Sequence, residues 1–212
     1  PELGLDTPRT RAKLEAALAG LPLTIARSER TGGFIAALDG GRPGRTVLLR
    51  GDMDALPIEE ATGLDFASRE PGKMHACGHD SHSAMLAGAA RILCAKRDQL
   101  AGRILFMFQP GEEGHHGARI MIEEGLLGDP LPDAAFALHT RPTLPHATVA
   151  WRPGAMLAST DTLSARIIGK GGHAAMPHDA RDPVPVAAEI VLALQSEVAR
   201  RTDRPRFALG WC

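Results

Sequence analysis

The sequence predicts an α/β layer fold, with helices packed on a mostly buried sheet and a second, smaller domain after it. Three observations carry this. Apolar runs of strand length alternate with Ala/Leu-rich runs of helical period. Several strand-like runs are apolar at nearly every position, as strands covered on both faces are. Near residue 157 the character changes, and polar and apolar residues begin to alternate around Gly-rich turns.

The elements follow in order. Residues 7–19 open with Thr7-Pro8 and carry Leu14, Ala17 and Leu18 on one face, which predicts a helix. Strands are expected over 22–27, 33–38 and 46–50, separated by Gly-rich breaks. A helix over 81–95 has Ser81 as its cap and Cys94 as a small core residue. A strand at 102–108 precedes a short helix at 118–124, which Gly125 ends. Short strands are expected at 134–138 and 148–151. Beyond the boundary come a half-exposed strand at 162–168, a Gly-rich turn at 169–172, a helix at 182–200 and a strand at 206–209. The expected domains are therefore 1–157 and 158–212.

A formal net charge of −1 gives no reason to expect nucleic acid or an anionic membrane as partner. The apolar runs fall well short of the roughly 18 residues of a membrane span. Pro1-Glu2-Leu3-Gly4 has neither the basic start nor the apolar stretch of a secretory leader. Three cysteines exclude a dense disulfide framework, and their odd number points to the reducing cytoplasm.

Chemistry concentrates in a few segments. Asp52 and Asp54 follow the third strand, at the strand end where α/β sheets bind ligands. Met74-His75-Ala76-Cys77-Gly78-His79-Asp80-Ser81-His82 packs a thiol, three imidazoles and a carboxylate directly before a helix. Thiolate and imidazole are ligands that an ion such as Zn²⁺ favours. Gly78 lets the loop bend so that Cys77 and His79 face one ion, and Asp80 is placed to accept a ligand histidine's free N–H. Glu112 and Glu113 end another apolar strand. One could bind a metal while the other accepts a proton, a division that suits hydrolysis. His115 and His116 read as exposed loop residues. His139 terminates a further strand, and His173 lies on a Gly-rich turn from which it could stabilise an oxyanion or bind a carboxylate. His178, beside Pro177, reads as part of a turn.

Taken in order, 50–57, 74–82, 108–114, 138–139 and 169–178 resemble the N-acyl-amino-acid amidohydrolases, a branch of the dinuclear metallopeptidases that includes hippurate hydrolase and indole-acetyl-amino-acid hydrolases. The resemblance implies a mixed-sheet catalytic domain interrupted by a smaller α+β lid that often mediates a homodimer. It implies Cys77, His79, Glu113 and His139 as metal ligands and Glu112 as the base acting on metal-bound water. It groups Asp54 with Glu112 as catalytic, near the metal centre, and makes His173 a substrate-binding lid residue. The implied cofactor is a divalent metal, two ions per complete site, zinc or manganese, with nickel or cobalt also found. The implied substrate is a small N-acyl amino acid. The family adds one later His ligand, whereas no His follows His178, so the chain is expected to be a fragment of a longer enzyme.

Two competing readings remain at this stage. One is a non-catalytic metal-binding or assembly fragment, in which the ion merely supports folding. The other is a thiol hydrolase with Cys77 as nucleophile.

Overall fold

The computed structural model describes residues 1–154, 156–157 and 163–201, the side chains of 198–201 excepted. The chain divides into two compact units, Pro1–Pro145 and His146–Cys212. In the first, α1 (Pro8–Leu18), β1 (Thr24–Arg27), β2 (Phe34–Asp39), β3 (Arg42–Asp52), α2 (His79–Ala95), β4 (Ala101–Gln109), α3 (Gly117–Glu123) and β5 (Ala134–Ala137) build one mixed sheet with helices, as the sequence predicts. The strand order is β1-β2-β4-β3-β5. β1 and β4 flank β2 antiparallel, while β3 runs parallel to both β4 and β5.

The apolar strands explain the layering. Side chains alternate across a strand, so Phe34, Ala36 and Leu38 of β2 join Phe106 and Phe108 of β4 on one face, where Leu86, Ala87, Ala90 and Cys94 of α2 cover them. Phe34 and Phe108 stack with ring centroids 4.5 Å apart. Ile35, Ala37, Leu105 and Met107 point to the other face and meet Met121 of α3. Cys94 is thus a core residue, as expected. A buried Phe such as Phe106 contributes about 3–5 kcal/mol here, judged by the usual cost of truncating one.

One boundary differs in a way that bears on function. Helix α2 starts at His79, two residues before the expected Ser81. Its cap is Gly78 in the left-handed region, at φ 84°, and a Cβ there would collide with the Thr140 hydroxyl. Ser81 is therefore inside the helix rather than its cap. Helix α1 is capped by Glu2, whose carboxylate accepts the Arg9 and Thr10 backbone N–H groups at 3.1 and 2.7 Å, and not by Thr7.

In the second unit, α4 (Pro183–Arg201) matches the expected helix, and His178 lies on the short turn Pro177–Asp179. Lys170 and Arg181 pair as an isolated antiparallel bridge. The expected strands at 148–151 and, over its described part, 163–168 do not form. Alternating composition supplies a strand's propensity but not its partner, and neither segment has a hydrogen-bonded neighbour strand among the described residues. The expected strand at 206–209 lies outside the described residues. Among the described residues no helix is long and apolar enough to cross a membrane.

Candidate metal centre

Three parallel strands end side by side, and the residues singled out in the sequence sit at those ends. β3 lies between β4 and β5, so the loops that follow them are neighbours. Asp52 and Asp54 leave β3, Glu112 and Glu113 follow β4, and His139 follows β5. The early start of α2 puts His79 and His82 in its first turn, three residues apart and on one face. Cys77 stands two residues before the helix.

His79 is the hub. It is 1% exposed, with Nδ1 3.6 Å from Asp54 Oδ1 and Nε2 3.6 Å from Asp52 Oδ2. Nε2 also lies 3.8 Å from Glu112 Oε2 and 3.8 Å from Glu113 Oε1. These separations exceed hydrogen-bond contact, and both ring nitrogens are buried with no hydrogen-bond partner. Burial opposes the imidazolium, but the Asp54 carboxylate and the charges of Asp52 and Glu112 outweigh it and raise His79 above its ordinary pKa. Buried polar atoms are nearly always satisfied, so two orphaned nitrogens facing carboxylates mark a place for a cation.

The donors around it fit one. Cys77 Sγ is 3.3 Å from His139 Nε2. Ligand atoms of Cys77, His79 and His139 lie within 4.8 Å of one another, as do those of His79, Glu112 and Glu113. Zinc holds nitrogen at about 2.0–2.1 Å and sulfur at about 2.3 Å, so tetrahedral ligands sit about 3.5 Å apart. Contacts of 3.3 and 3.8 Å are compatible with that spacing. A thiol, two imidazoles and carboxylates suit a divalent ion of intermediate softness.

The two glutamates differ. Burial, then the neighbouring charge of Glu113, raises the Glu112 carboxyl above the ordinary range. Glu112 is also the more exposed, at 42% against 28%. The Cys77 thiol is pushed up to about 11, first by burial and next by the charge of Glu113 beside it. A nucleophilic cysteine requires the opposite shift, which counts against the thiol-hydrolase reading.

Asp54 is buried and holds the Glu112-Glu113 turn. Its Oδ1 accepts the Glu112 N–H at 3.0 Å and its Oδ2 the Glu113 N–H at 3.1 Å. Burial acts to raise its pKa, but the His79 contact and these two N–H groups hold it below the ordinary carboxylate range. Asp80 does not take up the supporting position expected of it. It is exposed, and its Oδ1 accepts the next residue's N–H, from Ser81, at 2.8 Å.

A polar network around Asp52 was not foreseen. Arg50 Nη1 donates to Asp52 Oδ2 at 2.6 Å, and Arg50 Nε to Gln109 Oε1 at 2.7 Å. His82 Nδ1 lies 2.6 Å from Asp52 Oδ1, and Thr140 N donates to His82 Nε2 at 2.9 Å. Asp52, His79 and His82 are close enough to share an ion, but both His82 nitrogens already have partners. The signal available in the sequence was the three-residue spacing of His79 and His82, legible only once the helix starts at 79. His115 and His116 are exposed, as expected. His173 belongs to the second unit, where its Nδ1 accepts the Ala175 N–H at 3.2 Å.

The model of peptidase family M20/M25/M40 matches residues 48–208. The chain belongs to this family. It is 41% identical over 209 residues to an N-acetyl-L-cysteine deacetylase of Bacillus subtilis, covering 99% of this chain and 50% of that protein. An N-acetyldiaminopimelate deacetylase of Leuconostoc citreum is 46% identical over 171 residues, covering 80% and 44%. The crystal structure of the Bacillus subtilis YXEP protein, a dinuclear metal binding peptidase of the M20 family, superposes with a TM-score of 0.73 at 34% identity, over 92% of this chain and 52% of that one. This M20 chain spans about half the length of the curated relatives it matches.

Proposed function

We propose that the protein containing this chain is a metal-dependent amidohydrolase that cleaves the amide bond of small N-acyl amino acids. The observation that carries the reading is His79, with both nitrogens buried and unpaired and with the Glu112 and Glu113 carboxylates 3.8 Å away. Cys77, His79, Glu113 and His139 would hold divalent metal, two ions in the complete site, with zinc or manganese the preferred choices and nickel or cobalt compatible with the same donors. Such ions polarise a carbonyl and lower the pKa of water.

The chain's own residues supply the rest. Glu112, with its raised pKa and greater exposure, accepts the proton of the attacking water and passes it to the leaving amine nitrogen as the C–N bond breaks. Asp54 keeps Glu112 and Glu113 in place through their backbone N–H groups and orients His79, so it acts by positioning. His173 is assigned to the substrate's carboxylate or the developing oxyanion. The names of the deacetylase relatives denote N-acetylated amino acids, which supports this substrate class. A homodimer formed through the second unit and a cytoplasmic setting belong to the same proposal. A purely structural ion would leave Glu112, exposed beside the ligands and with a raised pKa, without a use, so the non-catalytic reading is not favoured.

The test is Glu112→Gln in the full-length protein, assayed on N-acetyl amino acids. Metal content stays at the parent level while kcat falls by about 10²–10⁴-fold, the usual contribution of a general base. Parent-like turnover would remove Glu112 from the mechanism.

A further inference from the structure

Among the described residues, the Asp52–His82–Thr140 network is polar and fully paired, with Asp52 and His82 buried and Thr140 half-buried, yet no step of the proposed reaction uses it. His82 is 3% exposed. Its Nε2 accepts the Thr140 backbone N–H at 2.9 Å, which makes Nδ1 the protonated nitrogen, donating to Asp52 Oδ1 at 2.6 Å. Arg50 holds the other oxygen of Asp52. The Thr140 hydroxyl lies 3.1 Å from the same His82 nitrogen and 3.4 Å from the Cys77 carbonyl. The Thr140 carbonyl in turn accepts His139 Nδ1–H at 2.7 Å. A carbonyl can only accept, so His139 Nδ1 carries a hydrogen, which turns Nε2, 3.3 Å from Cys77 Sγ, toward the place of a metal.

We infer that His82 and Thr140 are positioning residues that fix the tautomer and orientation of His139 and seat it against Cys77 before any metal arrives. The inference rests on the reading of Cys77 and His139 as metal ligands. The network is anchored in β3 through Asp52 and Arg50, spans the first turn of α2, and ends on the loop after β5. It ties the loop carrying one candidate ligand to the helix carrying another. The bare Gly78 Cα leaves room for the Thr140 hydroxyl beside Cys77, because any Cβ at that position would occupy the same space.

Two substitutions divide the roles of His82. In His82→Asn the amide nitrogen replaces Nδ1, keeping the bond to Asp52 but losing the acceptor for Thr140. In His82→Gln the amide oxygen replaces Nε2 as that acceptor, while Arg50 still pairs Asp52. In the full-length protein, His82→Asn is expected to weaken zinc affinity, measured by chelator competition, by about 10- to 100-fold, as loss of a supporting partner does. His82→Gln should stay near the parent. Long-range ¹H–¹⁵N spectra of the zinc-free protein should show His139 protonated at Nδ1 in the parent and His82→Gln, and in mixed tautomers in His82→Asn. Thr140→Ala keeps the backbone N–H and carbonyl that carry the link and removes only the hydroxyl, so it should bind zinc near the parent level. Equal affinities for His82→Asn and His82→Gln would overturn the inference. A parent protein whose cobalt(II) form lacks a thiolate charge-transfer band would overturn the metal-site reading, and this inference with it.

Discussion

Replacing Asp54 with asparagine keeps the shape of the side chain and removes its charge. In the parent, two carboxylate oxygens accept the Glu112 and Glu113 N–H groups at 3.0 and 3.1 Å, and one of them faces His79. Asparagine offers one oxygen, so one backbone N–H meets an NH₂ group and goes unpaired in a buried site. A hydrogen bond to a charged group contributes about 1.5–3 kcal/mol, and one of the two is lost outright, so the expected destabilisation is about 2–3 kcal/mol. The urea midpoint should fall with an unchanged slope. The sign with pH is fixed by the depressed carboxyl. Its contribution is present above the unfolded value of about 3.9 and is lost as pH drops through the lower folded value. The gap between parent and variant should therefore close below about pH 4. Turnover should drop with little change in KM, because the anchor of Glu112 is loosened. A variant within about 0.5 kcal/mol of the parent at pH 7, or a gap that persists in acid, would refute this account of Asp54.

Other consequences can be checked on the same protein. Cys77 in the metal-free protein should alkylate slowly at pH 8, where with a pKa of about 11 only about one thiol in a thousand is ionised. The rate should climb about tenfold per pH unit up to pH 10, and a plateau already reached at pH 8 would contradict the shift. Glu2→Gln should cost about 1 kcal/mol at pH 7, the usual price of a lost helix cap. Glu2 is held below its ordinary pKa because bonds from Thr10 and Arg9 outweigh burial, so this loss too should fade as pH falls below about 4. A parent–variant difference in melting temperature that is flat with pH would count against that role.

How much was legible in the sequence depends on how local the information is. Phe34-Ile35-Ala36-Ala37-Leu38 announces a strand covered on both faces, and both faces are covered. Cys77, His79, Glu112, Glu113 and His139 stand out because each lies at or near a strand end or helix start, and the parallel order β4-β3-β5 gathers those ends. The supporting network was hidden because its bonds join residues 30 and 58 positions apart, and spacing within one segment does not state which loops will meet. The helix start at His79 was misplaced because a left-handed glycine cap leaves a weaker mark than a serine. The absent strands at 148–151 and 163–168 had composition in their favour but no partner among the described residues.

The central claim is that one divalent ion touches the Cys77 sulfur together with imidazole and carboxylate donors. X-ray absorption on the zinc-loaded full-length protein tests it directly. The account predicts a sulfur scatterer at about 2.3 Å beside nitrogen and oxygen at about 2.0–2.2 Å, with the sulfur gone in Cys77→Ser. A shell of nitrogen and oxygen alone, unchanged by that substitution, would contradict it.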